Sequence, residues 1–332
     1  MIVILVIYYN NEMKHLKLYC YFKENKKWKK KKKKLIKERE KFLKKITKEN
    51  EQDIDRAYFK EDKKMKEEKK KLIEERKKFV KKITKENGRD IDHAFINSKY
   101  YQSFHGLNFV KKVKKLNKDG KKCFIGFSEA DTISAANAIC RGKKHDLFLF
   151  NYKVGLLDFA SYKKPGGGFL NGSRAQEEDI CSKSTLYPIL KFFEPIYKRR
   201  KRNKGEYGDD LLYIPDVYFV KDKKDFGDFH ADVIVSSAPN AKILREHCDE
   251  KYINKVLYNR IDSIFKVAID NNVNCLILGA YGTGVFDNDV MIVATAFKEY
   301  CDMYHEYFDR ILFAIPDKKK LDVFKQVFCV HS

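Results

Sequence analysis

After Lys122 the hydrophobic period of this chain changes, and the new period restricts the remaining residues to a layered α/β architecture. Short apolar runs that suit buried strands lie at 123–127, 147–150, 154–159, 212–220, 232–236, 275–278 and 311–315. Segments of helical period lie between several of them, at 131–140, 174–190, 251–270 and 290–304. Strands alternating with helices predict a sheet layered by helices. Residues 197–210 (YKRRKRNKGEYGDD) are charged and contain glycine, and they read as an exposed loop.

Charge divides the chain at nearly the same place. The first 120 of 332 residues hold 38 Lys/Arg against 18 Asp/Glu, and the rest hold 32 against 29. Most of the formal charge of +23 therefore belongs to an N-terminal extension ahead of a near-neutral globular part. Residues 26–34 (KKWKKKKKK) open on Lys26 and close on Lys34, and such a block cannot pack. It reads as a solvated tether, or else as a nuclear-import signal or a nonspecific polyanion-binding arm. Behind it, KLIKEREKFLKKITKENEQDIDRAYF (34–59) recurs 37 residues later as KLIEERKKFVKKITKENGRDIDHAFI (71–96). In the second copy Leu72, Arg76, Phe79, Val80 and Ile83 recur at helical spacing, and Asn87-Gly88 suits a helix stop. Two copies are too few for a solenoid. The preferred reading is a duplicated amphipathic helix with its second copy packed on the globular part, rather than a partner-binding helix. The expected organisation is a basic extension over 1–70, accessory helices over 71–120 and a globular domain over 121–330.

No apolar run approaches the ~18 residues that would span a bilayer. Residues 1–9 (MIVILVIYY) are apolar, with no cationic segment before them and no small-residue cleavage pattern after. A misassigned start or a short strand is preferred there to a signal peptide. The eight cysteines contain no CxxC, so neither metal-ligand nor disulfide spacing is present. They read as buried thiols of a reducing compartment, cytoplasm or nucleus.

The chemistry concentrates in DFASYKKPGGGFLNGSRAQEEDICSKSTLY, residues 158–187. Gly166, Gly167 and Gly168 follow a strand; they allow positive φ angles and let backbone N–H groups close on a ligand, although such triplets also serve as plain turns. Gln176, Glu177 and Glu178 follow. Ser173-x-x-Gln176 fits a capping box, and acids in a first helical turn are favoured by the helix dipole. That setting lowers a carboxyl pKa, so a proton donor there needs burial or a nearby anion to raise it. Neighbouring helical residues point about 100° apart, so these glutamates do not form the usual pair flanking one glycosidic bond. One suits proton chemistry and the other a sugar hydroxyl. A second loop, Gly279-Ala280-Tyr281-Gly282-Thr283-Gly284-Val285-Phe286, joins a strand to a helix and suits an anion. It has neither Walker A nor GxGxxG form.

GGG followed shortly by QEE resembles the signature of poly(ADP-ribose) glycohydrolases. LLDFASYKKPGGGFLNGSRAQEEDICSKSTLY, YIPDVYFVKD, DVIVSSAPN, LILGAYGTGVFDND and ILFAIPD look like the microbial-type branch of that macrodomain family, over about 123–317. The resemblance implies a three-layer α/β/α macrodomain with a mixed central sheet that binds a terminal ADP-ribose unit. It implies that Gly166, Gly167, Gly168, Gly282, Thr283, Gly284, Val285 and Phe286 wrap the diphosphate, with Phe286 helping to place the terminal ribose. Glu178 would be general acid and base in cleaving ribose–ribose O-glycosidic bonds, Glu177 would bind ribose hydroxyls, and Gln176 would fix the loop. It implies no metal or cofactor, poly(ADP-ribose) or ADP-ribosylated proteins as partners, no membrane, and work such as the response to DNA damage. The alternatives are a non-catalytic ADP-ribose reader and a hydrolase of mono-ADP-ribosyl groups.

The chain departs from the family at four places. Asp158 stands where microbial members often carry Asn, though animal-type enzymes carry Asp. Tyr281, Thr283 and Asp287 replace the commoner Trp, Cys and Gly, and an inward-facing Asp287 would weaken diphosphate binding. His230, His247 and His305 lack ligand spacing, Trp28 reads as idle, and Cys181 reads as packing.

Overall fold

The computed structural model describes residues 15–17, 63–102, 123–142, 152–200, 205–220 and 227–329. Residues 1–9, the basic block, the first repeat copy and the strand expected at 147–150 lie outside them. The second copy forms α1 (Lys63–Glu86) and α2 (Gly88–Asn97). The pair breaks at Asn87, whose side-chain amide donates to the Ile83 carbonyl at 3.2 Å. Ile73, Arg76, Ile83, Ile91 and Ala94 form its buried face.

Among the described residues eight strands make one sheet: β1 (His15–Lys17), β2 (Lys99–Tyr101), β3 (Phe124–Ser128), β4 (Val154–Phe159), β5 (Leu211–Phe219), β6 (Phe229–Ser236), β7 (Cys275–Leu278) and β8 (Arg310–Ala314). Their order is β1-β2-β5-β6-β4-β7-β8-β3. The run from β6 to β3 is parallel, and β1, β2 and β5 add antiparallel pairings, so the sheet is mixed. Side chains alternate across it. Val233 and Val235 of β6 join one core with α2, α3 (Thr132–Gly142), α4 (Gln176–Ser182), α5 (Leu186–Leu190) and α6 (Glu194–Arg200). Ile234 joins the other, with α8 (Glu250–Asp270), α9 (Val290–Tyr304) and α10 (Lys318–Cys329). The short α7 (Ala241–Leu244) lies beside them in sequence. This is the expected three-layer α/β/α arrangement.

Two local expectations need correction, and one helix adds to them. The helix expected over 174–190 is two, because Ser184 Oγ donates to the Ile180 carbonyl and accepts from the Leu186 N–H, while Thr185 N–H donates to Tyr218 in β5. Side-chain hydrogen bonds of this kind compete with the helix. The exposed loop over 197–210 is in part helix, and it is anchored at both ends. α6 runs to Arg200, Tyr197 is buried, and buried Tyr207 stacks on Tyr162 with ring centroids 3.3 Å apart. The C-terminal end adds α10, buried through Leu321 and Phe324. No helix among the described residues is long and apolar enough to cross a membrane.

The topology gathers the glycine loops at one end of the sheet. Phe159 of β4 pairs with Ser236 of β6, and Ala160 N–H donates to the Ser236 carbonyl at 2.9 Å. β7 lies on the other side of β4. The segments after β4, β6 and β7 therefore leave side by side at the C-terminal ends of parallel strands, where open α/β sheets place ligands. Fully buried Arg260 of α8 ties two connections beside that end: it bonds the Ser237 and Glu206 carbonyls and pairs with Asp209 at 2.9 Å. Replacing Arg260 with Met strands these acceptors and is expected to cost about 3 kcal/mol, read as a shift in urea unfolding.

Candidate active site

The β4–α4 connection builds the first half of the site. Gly166 and Gly167 have φ angles of +68° and +57°, in the left-handed region. A Cβ at Gly167 would lie 2.5 Å from Glu178 Oε1 and 2.8 Å from Glu177 Oε2, so the backbone there is pressed against both acids. After a 3₁₀ turn at Phe169–Asn171, the chain enters α4 through Ala175. Alanine has no side-chain acceptor, so Ser173 and Gln176 do not form the expected capping box. Instead Glu178 reaches back, and its Oε2 accepts from the Ala175 N–H at 3.1 Å. Its Oε1 accepts from the Gly168 N–H at 2.7 Å. The carboxylate is thereby fixed between glycine loop and helix, 6% exposed.

Glu177 and Gln176 take different directions from the same turn. Glu177 Oε2 accepts from the Ser161 N–H at 2.6 Å, and its Oε1 has no hydrogen-bond partner among the described residues. Gln176 is a pin between α4 and the sheet. Its Oε1 accepts from Phe159 N–H at 2.8 Å, and its Nε2 donates to the Leu157 carbonyl at 2.7 Å and to Thr132 Oγ1 at 3.2 Å. All its polar atoms are committed to the scaffold, which suits fixing the loop and leaves none for direct contact with a ligand.

A third acid completes the group. Asp158 of β4 is fully buried, with neither carboxylate oxygen hydrogen-bonded among the described residues. Burial, and then the neighbouring Glu178, push its carboxyl well above the usual range. Burial likewise raises Glu177, with Asp158 and Glu178 adding to the rise and the Ser161 and Gly166 N–H groups opposing it. Glu178, in the first turn of α4, is buried with them. The Cys181 thiol is pushed up by burial and by the same carboxylates, which suits packing and not nucleophilic attack. No group of three or more His, Cys, Asp or Glu among the described residues is arranged to hold a metal ion.

The β7–α9 connection supplies the second half. Gly282 has φ +72°, and a Cβ there would meet the Ala238 Cβ at 2.5 Å and Asn288 Nδ2 at 2.6 Å. Asn288 Nδ2 donates to the Gly282 and Pro239 carbonyls, locking this loop to the one after β6. A Cβ at Gly284 would meet open space, and Val285 is 85% exposed. Thr283 Oγ1 turns inward to the Ala280 carbonyl, and its own carbonyl accepts from Lys320 Nζ at 3.2 Å. Phe286 faces the stacked pair Tyr162–Tyr207 with ring centroids 6.1 and 5.9 Å away, so aromatic rings link the two loops. Asp287 does not face inward: its carboxylate pairs with Arg245 at 2.6 Å, and it holds φ +58° where the family commonly has glycine.

Arg76 is the residue whose place the sequence leaves hidden. Helical spacing puts it on the buried face of α1, but nothing marks the loop carbonyls it meets. Its Nη1 donates to Phe169 at 2.6 Å and to Ser173 at 2.8 Å. His230, His247 and His305 are exposed.

Residues 67–222 match the family model for the microbial-type PARG catalytic domain. Over that stretch the chain has the sequence pattern of a microbial-type PARG catalytic domain. The match opens within α1, well upstream of the stretch in which the motifs are legible. Among solved structures, the chain is similar to poly(ADP-ribose) glycohydrolase from Thermomonospora curvata, at 26% identity over 72% of this chain and 89% of that one, with a TM-score of 0.62. It is equally similar to the Deinococcus radiodurans enzyme in complex with ADP-ribose, at 26% identity over 73% and 98%, with a TM-score of 0.63. Comparison with curated proteins finds no match.

The acids of this PARG domain tie its stability to pH. Asp158 and Glu177 titrate above their unfolded values of about 4. Below those values both states are protonated and no penalty arises; as pH rises the unfolded chain ionises first, so stability falls toward the raised folded values. Asp158→Asn removes one such group. Its stability relative to the wild type should increase from about pH 5 to about pH 8 in urea unfolding, and parallel curves would contradict the assignment.

Proposed function

We propose that this chain is a glycosidase that hydrolyses ribose–ribose O-glycosidic bonds in poly(ADP-ribose) and releases ADP-ribose, with Glu178 as general acid and base. The observation that carries this reading is the Glu178 carboxylate, clamped between the Gly168 and Ala175 N–H groups and pressed against Gly167. Each carboxylate oxygen retains a second lone-pair position, so one can hold a proton. As the glycosidic C–O bond breaks, Glu178 gives that proton to the departing ribose hydroxyl oxygen, and positive charge develops at the anomeric carbon. The resulting carboxylate takes a proton from the water that attacks that carbon, which restores the acid.

The neighbouring groups have positioning roles. Glu177 accepts a ribose hydroxyl through Oε1, the oxygen the protein leaves unpaired. The glycine loops take the diphosphate, whose N–H-rich surroundings suit an anion. Phe286, held near Tyr162 and Tyr207, packs on the terminal ribose. The catalytic unit under this reading includes α1 and α2 as well as the sheet. Cytoplasm or nucleus is its location, consistent with cysteines kept as thiols.

Glu178→Gln is expected to abolish ADP-ribose release from polymer while calorimetric ADP-ribose affinity stays within ~10-fold, about 1.4 kcal/mol. Retained turnover would overturn the role of Glu178. Loss of both properties would point to a site built differently. The basic residues 26–34 are proposed as a polyanion-binding arm. Deleting residues 1–34 should weaken polymer affinity and flatten its dependence on salt. An unchanged salt slope would remove that role.

A further inference from the structure

We propose that Arg76, contributed by the second repeat copy, is a positioning residue that holds the catalytic loop, and through it the Glu178 carboxylate, in the geometry needed for proton transfer. This inference rests on the reading of Glu178 given above. The guanidinium is buried. One nitrogen, Nη1, donates to both Phe169 and Ser173, the two ends of the turn between the glycine triplet and α4. Immediately outside those ends stand Gly168 and Ala175 (one residue before the first, two after the second), whose N–H groups are the donors to Glu178. Holding the ends of the turn at one nitrogen therefore sets the distance between the two donors.

Two further observations indicate that the loop is shaped to receive α1. The guanidinium carbon lies 4.9 Å from the centroid of the Phe169 ring, a cation–π contact with the same turn. Gly172 has φ +78°, and a Cβ there would come within 3.0 Å of Lys69 Cγ, so a glycine lets the helix lie against the loop. The charged and titratable groups acting on Arg76 are Glu178, Arg174, Cys181 and Asp179, and Glu178 is the strongest of them. Asp158 and Glu177 in turn interact electrostatically with Glu178. Arg76 thus places a positive charge beside a group of three acids. The first repeat copy carries Arg39 at the equivalent position, within the same KLI-x-E-R sequence.

The test compares full-length Arg76→Met, Arg76→Lys and Arg39→Met with the wild type. It reads kcat and KM on poly(ADP-ribose), the pH–rate profile, and amide exchange over residues 166–175. Arg76→Met should lower kcat ~10-fold or more with KM changed less than ~3-fold, as loss of positioning requires. Its carboxylate limb should move to higher pH, because a nearby positive charge favours ionised acids. Its loop amides should exchange faster. Arg76→Lys keeps the charge without the double donation, so it should keep the pH limb while recovering only part of kcat. Arg39→Met should match the wild type. Wild-type kcat and exchange in Arg76→Met, or an equal loss in Arg39→Met, would overturn the proposal. If Arg76→Met does not fold, Arg76→Lys decides, and wild-type kcat with wild-type exchange then refutes it. A wild type that leaves polymer intact refutes the hydrolase reading, whereas loop exchange still decides whether Arg76 holds the turn.

Discussion

A carboxylate gripped by two backbone N–H groups is the interaction on which the rest of this site depends. Gly168 and Ala175 can converge on Glu178 only because the chain between them turns tightly and because Gly167 has no side chain to intervene. That turn is fixed from below by Gln176, which stitches α4 to β4, and from the side by Arg76. The site is a consequence of how one helix N-terminus is seated on the sheet. Its precision comes from backbone donors, which cannot rotate away as side chains do.

The same seating carries an electrostatic cost. Three acids are buried together; burial and then Glu178 raise Asp158, and burial, Asp158 and Glu178 raise Glu177. A fold can carry such a cluster only if protons are retained or cations are brought near. Here both occur: Asp158 and Glu177 are held toward their neutral forms, and the Arg76 guanidinium lies alongside. The second glycine loop uses a different device, turning Asp287 outward to Arg245 and leaving Gly284 and Val285 open.

Much of this was legible in the sequence, for physical reasons that also mark where legibility ends. Val154–Phe159, Cys275–Leu278 and Val290–Tyr304 have the predicted bounds because each strong apolar pattern starts after a polar residue and ends just ahead of a small or polar one. The break after Ser182 has no sequence signal because it is made by a serine hydroxyl and by a bond to a distant strand, and neither changes the hydrophobic period. Tyr197 and Tyr207 were hidden within a run of charges although both are buried. In the site, the glycines and glutamates were marked by a motif. The partners that shape them, Arg76 and the carbonyls of Phe169 and Ser173, are joined across more than ninety residues by contacts that leave no local pattern.

The strand order also bears on how the chain matures on the ribosome. Among the described strands β3 pairs only with β8, the last of them in chain order. At roughly 5–20 residues per second, Phe124 and Phe127 wait roughly 10–40 s for their partner strand to be translated. β4, β5 and β6 can already associate in that interval, so the acids assemble on a nascent chain that still lacks its second glycine loop. Until β8 emerges, the parallel end of the sheet is an open template for mispairing.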